Sequence, residues 1–254
     1  MNWQMLLLAS CGLGLSTVAG TAGGLLVKKV PHKYNDVILG AASGIMLGAA
    51  ILGLISPAAE IGGKYTLFLV AAGVLAGASL VSILDRVTPH LHRLAGLDGE
   101  EHKHNGSISK ILLFVSAIAI HKFPEGLAAG VSFGTGMTGD ILTVVGGIAL
   151  QNIPEAMVIV SPLLTAGVSI KRTLCISLVI AFISMAGTVL GGVLVNITNA
   201  ILPFILSFAG GTMLYVVSDE MIPETHSHGF EKAATFSMIA GFLFILVMQK
   251  VLGA

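Results

Sequence analysis

Eight apolar stretches, each long enough to cross about 30 Å of hydrocarbon as a helix of roughly 20 residues, decide what this 254-residue chain can become. They run from Trp3 to Val27, Val37 to Ala59, Tyr65 to Leu84, Ile108 to Phe133, Ile141 to Val168, Thr173 to Val195, Ile201 to Val217 and Ala233 to Met248. Only 10% of the residues are charged and 55% are hydrophobic, with a mean hydropathy of +0.94. A water-facing domain carries about a quarter charged residues, so a soluble fold is excluded. No stretch alternates with period two over about ten residues, which argues against an outer-membrane barrel. The expected fold is an all-α integral membrane bundle of eight transmembrane helices forming one domain over 1–254. The first stretch is too long for a signal-peptide core and has no basic segment before it, so it is kept as a mature span. Cys11 and Cys175 both fall in apolar runs, where a thiol behaves as a small hydrophobe. With 13 cations against 13 anions, no basic face is available for nucleic acid.

Orientation follows from the cations. The segments after the odd-numbered stretches hold Lys28, Lys29, Lys33, Arg86, Arg93, Lys103, Lys110, Lys171, Arg172 and Lys232, whereas the opposite side has only Lys64 and Lys250. The positive-inside rule therefore puts the odd loops in the cytoplasm and both termini outside. Residues 86–107 form the longest of these loops and contain His90, His92, His102 and His104. A metal-binding loop and a solvated linker with incidental histidines both fit that composition.

Ionisable groups deep in a bilayer cost several kcal/mol and mark function. Here they gather in two stretches, as His121-Lys122-Phe123-Pro124-Glu125-Gly126 and as Gln151-Asn152-Ile153-Pro154-Glu155-Ala156. His121 and Glu125 are four residues apart, and so are Gln151 and Glu155, so each pair projects from one helical face. In each motif a proline precedes the glutamate. It removes one backbone hydrogen bond and pushes away a carbonyl, here that of Ile120 or Leu150, and a freed carbonyl at this depth needs protein or a polar cavity. Two such helices read as two walls of one site. One imidazole, two carboxylates and an amide oxygen make a mixed set suited to zinc, iron, manganese or cadmium; an all-oxygen calcium or magnesium site has no use for His121.

The motif pair, inside eight spans with a histidine-bearing loop after the third, resembles the ZIP (Zrt/Irt-like) metal transporters and is most similar to their GufA-like bacterial branch. Supporting segments are Asp85-Arg86-Val87-Thr88-Pro89-His90-Leu91-His92 and Ser218-Asp219-Glu220-Met221-Ile222-Pro223-Glu224. The resemblance implies uptake of divalent metal into the cytoplasm, with His121, Glu125, Gln151 and Glu155 as ligands of the transport site. It also implies an elevator-like movement of the first, fourth, fifth and sixth helices against the other four. The metal is cargo, and no cofactor is expected. The implied setting is a lipid bilayer, the bacterial inner membrane, with a homodimer as the candidate assembly. Many members carry Asn after the fourth-span histidine and Glu-Pro in the sixth span, which build a second metal position. Here Lys122 stands at the first and Thr188-Val189 at the second, so the lysine's fixed charge is expected to replace the second metal. Asp85, His90, His92, Asp219, Glu220 and Glu224, with His226 and His228, are candidate exit sites toward the cytoplasm, and Glu60 is a candidate entrance residue; plain boundary charges fit these positions equally. An intramembrane metal-dependent hydrolase and a metal-selective channel are the alternatives, although no His-Glu-x-x-His motif or obvious nucleophile is present.

Overall fold

The computed structural model describes residues 2–27, 31–61, 63–87, 121–165, 167–195 and 201–252. Among these residues all regular structure is helical: α1 (Trp3–Val27), α2 (His32–Glu60), α3 (Thr66–Val87), α4 (121–131), α5 (Thr138–Thr165), α6 (Ile170–Val195), α7 (Leu202–Thr225) and α8 (Glu231–Leu252). Seven of them, all but α4, are long and apolar enough to cross a membrane. The expected span from Ile108 to Phe133 is described from residue 121 onward, and the loop histidines His90, His92, His102 and His104 lie outside the described residues.

Two boundaries differ from the apolar reading. Helix α2 begins at His32 rather than Val37, because its first turn accommodates the polar run His32–Asp36. The Asp36 carboxylate is buried there, with Oδ1 3.0 Å from His228 Nδ1. Helix α7 continues past Val217 to Thr225, through Pro223. A proline inside a helix clashes with the carbonyl four residues back, and α7 avoids the clash by widening. Residues Val217–Met221 form a π turn in which the Ile222 N–H reaches the Val217 carbonyl. Helix α2 does the same before Pro57, with a π turn over Ile51–Ile55 closed by Ser56 N–H on the Ile51 carbonyl. Such turns recur at functional sites.

Packing divides the helices into two sets. Helix α1 lies against α5 and α6, while α2 lies against α8 and α7, and α3 against α7. Glycines let these partners meet backbone to backbone. A Cβ on Gly20 of α1 would strike the Ile153 carbonyl of α5, and one on Gly44 of α2 would strike the Met238 carbonyl of α8. Helix α4 docks on α6 in the same way, Gly126 against the Ser184 carbonyl and Gly187 against that of Phe123. The set of α1, α4, α5 and α6 meets the other set mainly where α5 faces α2 and α8.

Candidate metal site at the α4–α5 motifs

The α4–α6 contact fixes α4 by its small residues, which turns Lys122 and Glu125 inward. Both side chains are 1% exposed. From α5 come Asn152, wholly buried, and Glu155, 17% exposed. Lys122 with Glu125, and Asn152 with Glu155, are each three residues apart, so each pair shares a face. The ammonium of Lys122 is the centre on which they converge. Its Nζ lies 2.6 Å from Glu125 Oε2, 2.5 Å from Glu155 Oε2 and 2.8 Å from Asn152 Oδ1. Two buried carboxylates this close would repel strongly in a medium of low permittivity. A cation donating to both removes the repulsion and uses all three ammonium protons.

The lysine engages one oxygen of each glutamate. Glu125 Oε1 is sealed from solvent and has no hydrogen-bond partner among the described residues, and the same holds for both Oε1 and Nε2 of the fully buried Gln151. Buried polar atoms are nearly always paired, and an exception calls for a missing partner such as an ion. The two orphaned oxygens, Glu125 Oε1 and Gln151 Oε1, are metal-ligating atoms from two of the four expected ligand residues.

His121, at the start of the described part of α4, is turned toward the other set of helices. Its Nε2 lies 2.7 Å from Glu220 Oε1 in the π turn of α7. The sequence suggested His121 for the transport site and Glu220 for the exit; the structure places them in contact. Asp219 is exposed and Glu224 half-buried. Glu60 is exposed, 3.5 Å from the Ser56 hydroxyl at the far end of α2. Asp85 falls in the last turn of α3. Among the described residues no three His, Cys, Asp or Glu side chains surround a common point, so the ligand residues stand as a lysine-centred cluster with the imidazole alongside on Glu220.

Thr188, aligned with the sixth-span glutamate of the resemblance, stands opposite Gly130 and its hydroxyl donates to the Ser184 carbonyl at 2.9 Å. It is Ser184, with a buried hydroxyl lacking a partner among the described residues, that faces Gly126 beside Glu125. Asn152 is a site residue beyond the four expected ligands; its three-residue spacing to Glu155, which repeats that of Lys122 to Glu125, is the signal in the sequence. A cavity between α1, α5 and α6 is lined by Lys122 together with Thr17, Thr21, Ser177 and Ile180.

Comparison with known proteins points one way. The profile of the ZIP Zinc transporter family matches residues 89–249. The zinc transporter GufA of Myxococcus xanthus is 38% identical, over 95% of this chain and 99% of that protein. The zinc transporter ZIPB of Bordetella bronchiseptica is 32% identical, over 94% of this chain and 78% of its own. The human zinc transporter ZIP11 is 27% identical, over 93% and 94% respectively.

Proposed function

Since this chain belongs to the ZIP zinc transporter family, we propose that it carries divalent transition metals, zinc foremost, into the cytoplasm through one mononuclear site between α4 and α5. It is a multi-pass membrane transporter and not an enzyme. On this reading α4 belongs to the fourth of the eight expected spans, and the membrane is a bacterial inner membrane.

The observation that carries the proposal is the division of labour between the two edges of the carboxylates. Lys122 takes Oε2 of Glu125 and of Glu155, while Glu125 Oε1 and the Gln151 amide oxygen are buried without partners among the described residues. A divalent cation that met those oxygens, with His121 released from Glu220 as its nitrogen ligand, would satisfy the orphaned acceptors. Lys122 supplies beside it the positive charge that a second metal would otherwise bring. With both glutamates ionised, the empty site then holds one net negative charge rather than two, which lowers the cost of crossing hydrocarbon unloaded.

Transport follows if the α1, α4, α5 and α6 set moves as a body against α2, α3, α7 and α8. The backbone-to-backbone contacts inside each set support this. Metal passing toward the cytoplasm meets Glu220, Asp219 and Glu224 on α7, followed by Asp85 and the loop histidines His90 and His92; Glu60 attracts cations at the outer end. A channel needs a continuous wet path. The buried, lysine-filled site argues instead for a carrier.

Radiometal uptake into proteoliposomes, with metals counted per protomer, tests the reading. Glu125→Ala is expected to reduce zinc uptake to near background in well-folded protein, and the parent to hold one metal at this site. Near-normal uptake by Glu125→Ala, or two metals bound in the parent site, would count against it.

A further inference from the structure

The Lys122 ammonium is held by more than the two glutamates it bridges. Its third contact, Asn152 Oδ1 at 2.8 Å, belongs to a side chain with no exposed surface. The amide of Asn152 is itself hung on another helix. Its Nδ2 donates to the Leu13 carbonyl at 3.4 Å and to the Ser16 hydroxyl at 3.3 Å, both on α1. The hydroxyl proton of Ser16 goes to the Leu13 carbonyl, 2.8 Å away, which leaves its lone pairs free to accept from the amide.

These contacts have one direction only. An ammonium can donate but not accept, and a backbone carbonyl can accept but not donate. Asn152 must therefore point its oxygen at Lys122 and its NH2 at Leu13; a flipped amide would set donor against donor and acceptor against acceptor. Close approach of α1 and α5 at Gly20, where the Ile153 carbonyl leaves no room for a Cβ, keeps the anchor in register. The chain of contacts runs from the α1 backbone through the amide to the ammonium, and ends on the two carboxylate edges.

We infer that Asn152, braced by Ser16 and Leu13 of α1, is a positioning residue for metal recognition: it pins the Lys122 ammonium to the Oε2 edges of Glu125 and Glu155 and so reserves the remaining edges for the cation. This inference rests on the site proposed above. Lysine is a long, flexible chain, and an ammonium without its third acceptor is free to swing along either carboxylate. There it competes with the metal for the same oxygens. Asn152 need not touch the metal; it acts through Lys122.

That dependence gives the test: KM and Vmax for zinc uptake in proteoliposomes, with thermal melting of each variant as a check on folding. Asn152→Leu, close in shape but without polar atoms, is expected to raise KM about tenfold with Vmax changed less than about twofold, the scale of one lost hydrogen bond to a charged group. In a Lys122→Met background the same substitution is expected to leave KM unchanged, because no ammonium remains to be placed. Ser16→Ala removes only one brace and keeps the packing; it is expected to raise KM about twofold, again only when Lys122 is present. It also serves should Asn152→Leu not fold. An unchanged KM in the variants of the parent, or an equal rise with and without Lys122, overturns the inference. Parent-level uptake by Glu125→Ala would remove the site reading and this inference together. Loss of uptake in Glu125→Ala beside an unchanged KM in Asn152→Leu and Ser16→Ala would overturn the inference alone.

Discussion

At Gly126 of α4 a single methyl group would run into the Ser184 backbone, whereas at Gly147 of α5 it would find Ile245 Cδ1 at 3.2 Å and Ala49 Cβ at 3.4 Å. The first contact lies inside one set of helices and the second between the two sets. Several other positions repeat the contrast. Gly24 and Gly130 meet carbonyl oxygens of their own set, as do Gly77 and Gly241 in the other set, while Gly53 reaches across to side chains of Val144 and Thr143 and Gly146 to that of Met248. Backbone cannot yield, and it interlocks one turn with the next. Methyl and thioether groups can change rotamer as they pass one another. At these positions the same small residue fastens helices within a set and smooths the surface between sets, although Gly14, Gly48 and Gly192 meet only side chains inside their own sets.

The contrast is most exposed to a covalent test. With Cys11 and Cys175 changed to Ser, a cysteine pair at Ala49 and Gly147 has Cβ atoms about as close as a disulfide needs and joins the two sets. Oxidation is expected to stop zinc uptake, and reduction to restore it. The pair Gly14 and Ala181, 3.8 Å apart by the same measure, lies within one set and is expected to leave uptake largely intact when oxidised. Equal inhibition by both would break the idea that the two interfaces differ.

Stability sharpens it next. Gly126→Ala forces α4 off α6 and is expected to cost about 1–3 kcal/mol, as overpacking a close interface does; a thermal or denaturant midpoint for the purified protein reads this. The smallest effect is expected at Gly146→Ala, where the nearest atom, Met248 Cε, is 3.8 Å away. There the change should stay within about 0.5 kcal/mol. A comparable loss from both substitutions would mean that the interface between sets is as rigid as those inside them.

Much of the site could be read along the chain because helical spacing is local. The four-residue intervals from His121 to Glu125 and from Gln151 to Glu155, with a proline before each glutamate, marked two faces of a polar site, and an intramembrane lysine announced an unusual charge balance. Residues joined from distant parts of the chain were less legible. Nothing near His121 identifies Glu220 as its neighbour, and nothing near Asn152 identifies Leu13 and Ser16, since both contacts depend on how α1, α4 and α7 are brought together. The start of α2 and the end of α7 differ from the apolar reading for another reason. Hydropathy falls where Asp36 or Asp219 enters, but Asp36 is buried against His228, and the wide turn before Pro223 carries the helix beyond the acidic pair. Pro31, just before the first turn of α2, was the available signal at that end.

A π turn has the bookkeeping of an insertion. One residue more than an ordinary turn requires rotates everything after it by about 100° about the helix axis, as if the helix had been cut, twisted and rejoined. In α7 the glycines at 210 and 211 are packed against Ile55 and Val74 before this twist, and Glu220 emerges within it, facing His121. Removing a single residue between them would leave the composition of α7 almost unchanged and aim its acidic pair at a different wall of the protein. The length of that segment, as much as its chemistry, is what brings Glu220 to the site.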